Sequence, residues 1–253
     1  MSRPTHRLAI VTGTSTGIGA ALARQLLERD WHVVGIARTS ASLSAQRYRH
    51  VAIDLANTAG LTAALDEQLR SLVADPAVYR LALVNNAADV ALLGQVDQLD
   101  PARMLRAYAV NTVAPVLLMG WVMRTSSPAI ALRIVNVSSG AAVDAFPGLG
   151  AYGATKAALR MAGMVLAAEL DARVAGGAPP RDVTVWSFEP GVVDTPMQAA
   201  VRSSSAETVP IVGVFHQLAA DGRLLDPDDP ARAIAQHIET DGHPRFSEQR
   251  FQL

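Results

Sequence analysis

No cysteine occurs in the 253 residues, so there is no disulfide framework, no redox thiol and no thiolate metal site. Aromatic residues make up 5% of the chain, too few for a base-stacking platform. Neither sign of charge dominates: 22 Lys+Arg stand against 23 Asp+Glu, and a net charge of −1 leaves no electrostatic footprint for DNA or RNA. Charged residues amount to 18% and apolar ones to half, which argues for a large buried core and against disorder. The six histidines are scattered, with no pair at metal-ligand spacing, and read as surface or capping residues. No two carboxylates form a paired-acid site, and Ser138-Ser139-Gly140 lacks the Gly-x-Ser-x-Gly frame of a hydrolase. Neither a metal site nor a hydrolase is expected.

Long hydrophobic runs are missing too. The charge-free apolar stretch Val113–Met123 is about half of the roughly 20 residues a membrane-spanning helix needs. Arg3 and Arg7 before Leu8-Ala9-Ile10-Val11 imitate the start of an export signal. That run breaks at Thr12-Gly13-Thr14-Ser15-Thr16-Gly17, and a short buried strand is the better reading. The expectation is a cytoplasmic protein with no membrane or nucleic-acid partner.

What the chain does contain is alternation. Short apolar runs at Leu8–Val11, His32–Ala37, Val51–Ile53, Arg80–Asn85, Leu132–Val137 and Asp182–Phe188 read as strands. Between them Gly17–Arg29, Ser42–Tyr48, Gly60–Leu72, Pro101–Met123 and Ala151–Val174 carry helical spacing or length. Asp229 and Pro230 read as the N-cap and first residue of a helix over Ala231–Glu239. Strands apolar at consecutive positions are buried on both faces, as in a parallel sheet covered by helices. The expected fold is α/β, a Rossmann-type doubly wound parallel sheet; single sheets of this kind reach this length, so residues 1–253 are read as a single domain. In such folds ligands bind at the strands' C-terminal ends, beside the point where strand order reverses. The stretch from Thr195 to Asp229 is the least regular, and reads as a substrate lid or a plain surface excursion.

Four constellations carry chemistry. Thr12-Gly13-Thr14-Ser15-Thr16-Gly17-Ile18-Gly19 lies between the first strand and the first helix, where glycines let a phosphate approach the main chain. The helix that follows offers unpaired N–H groups and a positive dipole end to a pyrophosphate. At the end of the second strand Arg38 stands where a carboxylate would hold a ribose 2′-hydroxyl. A guanidinium there can hold a 2′-phosphate by forked hydrogen bonds, so NADP(H) is expected over NAD(H); the plain alternative is a solvated surface arginine.

Tyr152 and Lys156 are four apart in a helical segment and share one face. A tyrosine with its free pKa of about 10 is a poor proton donor or acceptor at neutral pH. The neighbouring ammonium is expected to lower that value, and Ser139, after the fifth strand, to bond the same substrate oxygen. Asn111 precedes Pro115 by four residues, and proline has no N–H to return to the Asn111 carbonyl. That carbonyl is expected to hold a water that resupplies protons through Lys156, unless Pro115 marks an ordinary kink.

These residues resemble the short-chain dehydrogenase/reductase family over nearly the whole chain. The resemblance makes Gly13, Thr14, Ser15, Thr16, Gly17, Ile18 and Gly19 the cofactor loop, and Asp54-Leu55 the pair that meets adenine. Asn85-Asn86-Ala87 follows the fourth strand as the family's Asn-Asn-Ala-Gly does, which assigns Asn86 and Ala87 to the cofactor; Ala88 stands in the fourth place. Asn111, Ser139, Tyr152 and Lys156 match the family's catalytic tetrad in order and spacing, with Tyr152 and Lys156 also meeting the cofactor. Pro190-Gly191 resembles the turn beneath the nicotinamide, with Val193 and Thr195 at its carboxamide.

The segment Pro190–Gln198, then Phe215 and Gly222-Arg223-Leu224-Leu225-x-Pro227, is similar to the family's sepiapterin and benzil reductase branch. That branch uses NADPH and reduces carbonyls beside a second carbonyl. The resemblance therefore implies an NADP(H)-dependent reductase of a small ketone or dicarbonyl, with Phe146, Leu149 and Met197 as pocket walls. It implies a cofactor half over about residues 1–140 and a catalytic and substrate half over about 141–253. A hydroxysteroid or 3-oxoacyl reductase stays open within enzymes, and a nonenzymatic nucleotide-sensing protein outside them. Glu189 precedes the Pro-Gly turn where many relatives carry an uncharged residue. The helices Pro101–Met123 and Ala151–Val174 form the dimer interface in many relatives. The charged C-terminal Phe246–Leu253 lacks the glycine usual in the family's tetramer contact. A homodimer is expected, with a tetramer open.

Overall fold

The computed structural model describes residues 5–39, 43 and 45–251. Seven parallel strands run β3-β2-β1-β4-β5-β6-β7 from edge to edge. They are β1 (His6–Thr12), β2 (His32–Ala37), β3 (Tyr48–Ala52), β4 (Val78–Asn85), β5 (Ala131–Val137), β6 (Val183–Glu189) and β7 (Phe246–Arg250). Alternation along β1 builds both cores. Leu8 and Ile10 join a cluster with Leu65, Leu118 and Leu159, while Ala9 and Val11 join another with Leu22, Trp31 and Ile234. The first cluster lies under α2 (Thr58–Val73), α4 (Ala114–Thr125) and α5 (Gly150–Ala175). The second lies under α1 (Gly17–Glu28) and α8 (Asp228–Glu239). Strand order reverses between β1 and β4, so the loops after these two strands diverge and leave a crevice.

Several boundaries differ from the sequence reading. The helix expected over Ser42–Tyr48 falls partly outside the described residues; Gln46 and Arg47 form a turn, and Tyr48 already belongs to β3. Pairing to β2 extends that strand well ahead of the expected Val51–Ile53, because edge hydrogen bonds do not require an apolar run. Pro101–Met123 is not one helix but α3 (Pro101–Tyr108), a π-turn over Ala109–Val113 and α4. The combined helical run 101–125 is long and apolar enough to span a membrane by length and composition, unlike the shorter stretch read from sequence, and half of its most apolar window is buried in this fold. Helix α8 starts two residues early, with Pro227 at its cap and Asp229 and Pro230 inside the first turn. The irregular stretch after Thr195 holds two helices, α6 (Pro196–Arg202) and α7 (Val212–Ala220).

Not all the histidines are surface or capping residues. Helix α8 lies against β6 and stacks His237 between Trp186, at 3.9 Å, and His243, at 3.8 Å. Burial, with His243 and Arg133 adding repulsion, holds His237 down to about 3. Arg133 is buried within β5, and its two Nη atoms pair with Asp182 at 2.7 and 3.0 Å and with Asp241 at 2.7 Å, while its Nε has no partner among the described residues. This network ties β5 to the start of β6 at the strands' N-terminal ends, opposite the crevice.

Candidate active site

The glycine loop is held from the neighbouring strand end. Asn86 donates its amide to the carbonyls of Thr12, at 2.8 Å, and Gly13, at 3.3 Å. Its own backbone N–H and that of Ala87 donate to the Thr12 hydroxyl, each at 3.0 Å. The Asn86 amide is therefore spent on shaping the loop. Gly13 sits at φ +74°, where other residues are strained, and a Cβ on Gly19 would lie 2.3 Å from the Gly13 carbonyl. This contact lets α1 begin directly beneath the loop.

A cleft of about 1090 Å³ opens above the loop. Gly13, Ser15, Thr16, Gly17 and Ile18 line one end, together with Arg38, Asp54 and Leu55. Asn86, Ala87, Pro190, Gly191, Val193 and Thr195 border it as well. Two expected cofactor residues do not. Thr14 is buried with its hydroxyl 3.2 Å from Tyr48 Oη, and Gly19 acts as the packing contact just described. Arg106, absent from the sequence reading, lines this end and pairs with Asp54 at 3.4 Å and Asp89 at 3.3 Å. The Ala56 backbone N–H, with Arg106 adding to it, holds the Asp54 carboxyl below the usual carboxylate range.

Ser139, Tyr152 and Lys156 meet at the middle of the cleft wall. Ser139 follows β5 and caps the short turn Gly140–Ala142, accepting from Ala141 N–H at 3.3 Å. Tyr152 and Lys156 rise from the first turns of α5, with the ammonium 5.8 Å from the centre of the phenol ring. Lys156 is 2% exposed and donates to the Val137 carbonyl at 2.8 Å. The protonation balance reverses the sequence expectation. Burial pushes Tyr152 up to about 12, and the Ser139 hydroxyl offsets only part of that rise. Burial also pushes Lys156 down to about 8, which still leaves it mostly an ammonium at neutral pH.

Asn111 does not border the cleft. It is fully buried in the π-turn, where Ala114 N–H reaches back five residues to the Ala109 carbonyl. The helix is thus re-registered ahead of Pro115, which differs from a simple proline kink. The Asn111 side chain accepts from Asp89 N–H at 2.7 Å and donates to the Asp89 carbonyl at 2.9 Å and to Thr155 Oγ1 at 3.1 Å. It ties the loop after β4 to the residue next to Lys156.

The far end of the cleft is apolar. Phe146, Leu149 and Met197 line it, joined by Ile211, Val214, Phe215 and Leu218. Those last four form one stripe at helical spacing along α7 and its cap residue Ile211, a signal present in the sequence but passed over with the stretch read as irregular. A bridge between Val193 and Leu225 ties the base of this segment, and Thr195 caps α6. Asp144, Glu189 and Arg250 also border the cleft. Arg250 comes from β7, and nothing in its local sequence marks it as a site residue.

The sequence profile described as short chain dehydrogenase matches residues 7–206. The chain is 33% identical over 247 residues to a benzil reductase ((S)-benzoin forming) of Bacillus cereus, covering 94% of this chain and 96% of that one. It is 30% identical over 252 residues to the sepiapterin reductase of Meriones unguiculatus, covering 92% of each. Among solved structures, a short-chain dehydrogenase/reductase from Burkholderia vietnamiensis superposes with a TM-score of 0.65 at 35% identity, covering 81% of this chain and 94% of that one.

Proposed function

This chain belongs to the short-chain dehydrogenase family, and from that premise we propose that it is an NADPH-dependent reductase of small, apolar ketones or dicarbonyls. The observation that carries the reading is the meeting of Ser139, Tyr152 and Lys156 midway between a glycine-loop cradle and an apolar pocket. The residues fit a dinucleotide. Gly13 and Gly17, both at positive φ, place bare backbone on the cleft wall, and the N-terminus of α1 opens there at Gly17. Arg38 borders the same end, which favours a 2′-phosphate over a free 2′-hydroxyl. The loop backbone, Asp54, Leu55 and Ala87 would hold the adenosine and pyrophosphate, and Pro190, Gly191, Val193 and Thr195 the nicotinamide half. When bound, the reduced nicotinamide supplies the hydride.

The protein's own residues supply the rest. Tyr152, still a phenol at neutral pH, gives its proton to the carbonyl oxygen. Ser139 donates a hydrogen bond to that oxygen. Lys156 binds the ribose and replenishes the phenol's proton, a transfer helped by a value near neutrality. Asn111 is a positioning residue that holds the Thr155–Lys156 turn, and its carbonyl is the proposed seat of a water that connects Lys156 to solvent. The chain thus divides near residue 140 into a cofactor half and a catalytic half.

The test is oxidation of NADPH and NADH with a panel of aromatic diketones, pterin ketones, steroids and acyl thioesters. Diketones with NADPH should give the highest kcat/KM, and Arg38→Asp should lower the NADPH/NADH ratio of specificity constants by at least about tenfold. A wild type that prefers NADH refutes the cofactor assignment. Preference for steroids or thioesters moves the enzyme to another branch, and no turnover with any of them favours the nonenzymatic reading.

A further inference from the structure

Glu189 ends β6 and stands in register with Arg250 of β7. Arg250 Nε meets Glu189 Oε1 at 2.9 Å, and its Nη2 meets Asp144 Oδ2 at 3.2 Å. All three side chains line the cleft. The Glu189 carboxylate also abuts Gly140, where a Cβ would lie 2.7 Å from Oε1. Gly140 directly follows Ser139. The same turn supports the phenol, since a Cβ on Gly153 would lie 2.4 Å from the Ala141 carbonyl. The charged cluster therefore sits one residue from the hydroxyl proposed to hold the substrate oxygen.

Around it the wall is apolar, made by Phe146, Leu149, Met197, Val214 and Phe215. The other charged groups on the cleft are Arg38, Asp54, Asp89 and Arg106 at the dinucleotide end and Lys156 behind the tyrosine. Two carboxylates and one guanidinium leave the cluster with a net negative charge. Between low-polarity walls that field repels an anion and leaves a neutral molecule unaffected. Arg250 is oriented toward the two carboxylates, so it moderates their charge without offering a free cation.

We propose that Glu189, held by Arg250, is a specificity-determining residue that excludes substrates carrying a carboxylate beside the reacting carbonyl. This deepens the reductase reading and rests on it. The test compares two near-isosteres, neutral 1-phenylpropane-1,2-dione and anionic phenylglyoxylate, by kcat/KM with NADPH. Wild type should favour the diketone. Glu189→Gln should raise phenylglyoxylate relative to diketone by about tenfold, the scale of one screened charge contact. Arg250→Gln should move the ratio the opposite way, and Glu189→Asp should keep it.

A purely structural role would depress both substrates together in both variants. An unchanged ratio in Glu189→Gln, or a shift of the same sign in both variants, overturns the proposal; if Glu189→Gln does not fold, the direction in Arg250→Gln decides. Wild type inactive on the diketone and on every other carbonyl of the panel would instead defeat the reductase reading. In that case calorimetric binding of benzoate against benzamide still reads the charge effect, and equal benzoate/benzamide ratios in wild type and Glu189→Gln overturn the proposal.

Discussion

Tyr152 and Lys156 leave their solution values in opposite directions for one reason, loss of water. Burial disfavours the charged form of each group, so the phenol keeps its proton and the amine gives its proton up more readily. A phenol near 12 is a weaker acid than free tyrosine, so its proton leaves only to the more basic oxygen created when hydride adds to the carbonyl. Tyr152→Phe should keep coenzyme binding, read by calorimetry, because the ring and its packing remain. Turnover should fall by at least about a thousandfold, since proton transfer from a positioned group contributes on that order. Near-normal turnover would remove Tyr152 from the assigned role. Legibility at this scale was uneven. The four-residue spacing named the pair, but the protonation states depend on how deeply distant elements bury it.

Elements make the cleft asymmetric. Helix α7 has high apolar content, yet Val212 is its one buried residue. Its stripe of Val214, Phe215 and Leu218, with the cap residue Ile211, faces the cleft and finds an apolar partner when a ligand fills that space. Phe215→Ala should therefore raise the ketone KM by about tenfold or more and leave the coenzyme Kd unchanged. A parallel loss of coenzyme affinity would show that α7 supports the fold and not the substrate. The π-turn is the other element that sequence period missed. A five-residue register inside an apolar helix shifts the buried face by part of a turn, and a search for 3.6-residue spacing reads straight across it.

For the whole molecule, the stacked His237 couples stability to pH. Its folded value lies near 3 against 6.5 in the unfolded chain, so between those values the unfolded state binds more protons. Stability should then fall as pH drops below about 6.5 and gain nothing from this group above it. Melting temperatures at pH 7 and pH 5 should differ by a few degrees more in wild type than in His237→Phe, which keeps the stack on Trp186; equal differences would sink the assignment. Association is the second property at this scale. Val113, Val116, Met161 and Val165 are exposed on the π-turn, α4 and α5, and we propose that a second copy covers them. Sedimentation velocity should show a dimer in wild type and a monomer in Met161→Glu/Val165→Glu.

Strand runs, the glycine loop, Arg38 and the Tyr-Lys pair were legible along the chain because each is a near-neighbour property. Period-two and period-four spacing, backbone freedom at a turn and the residue at a strand end all act within a few positions. The same locality hid the rest. Glu189 meets Arg250 because β6 and β7 pair, Asn86 shapes a loop that belongs to β1, and His237 stacks on Trp186 because α8 lies on β6. Such contacts, and the desolvation that sets Tyr152 and Lys156, arise when separate segments exclude water from a shared space, and linear order carries no record of that packing.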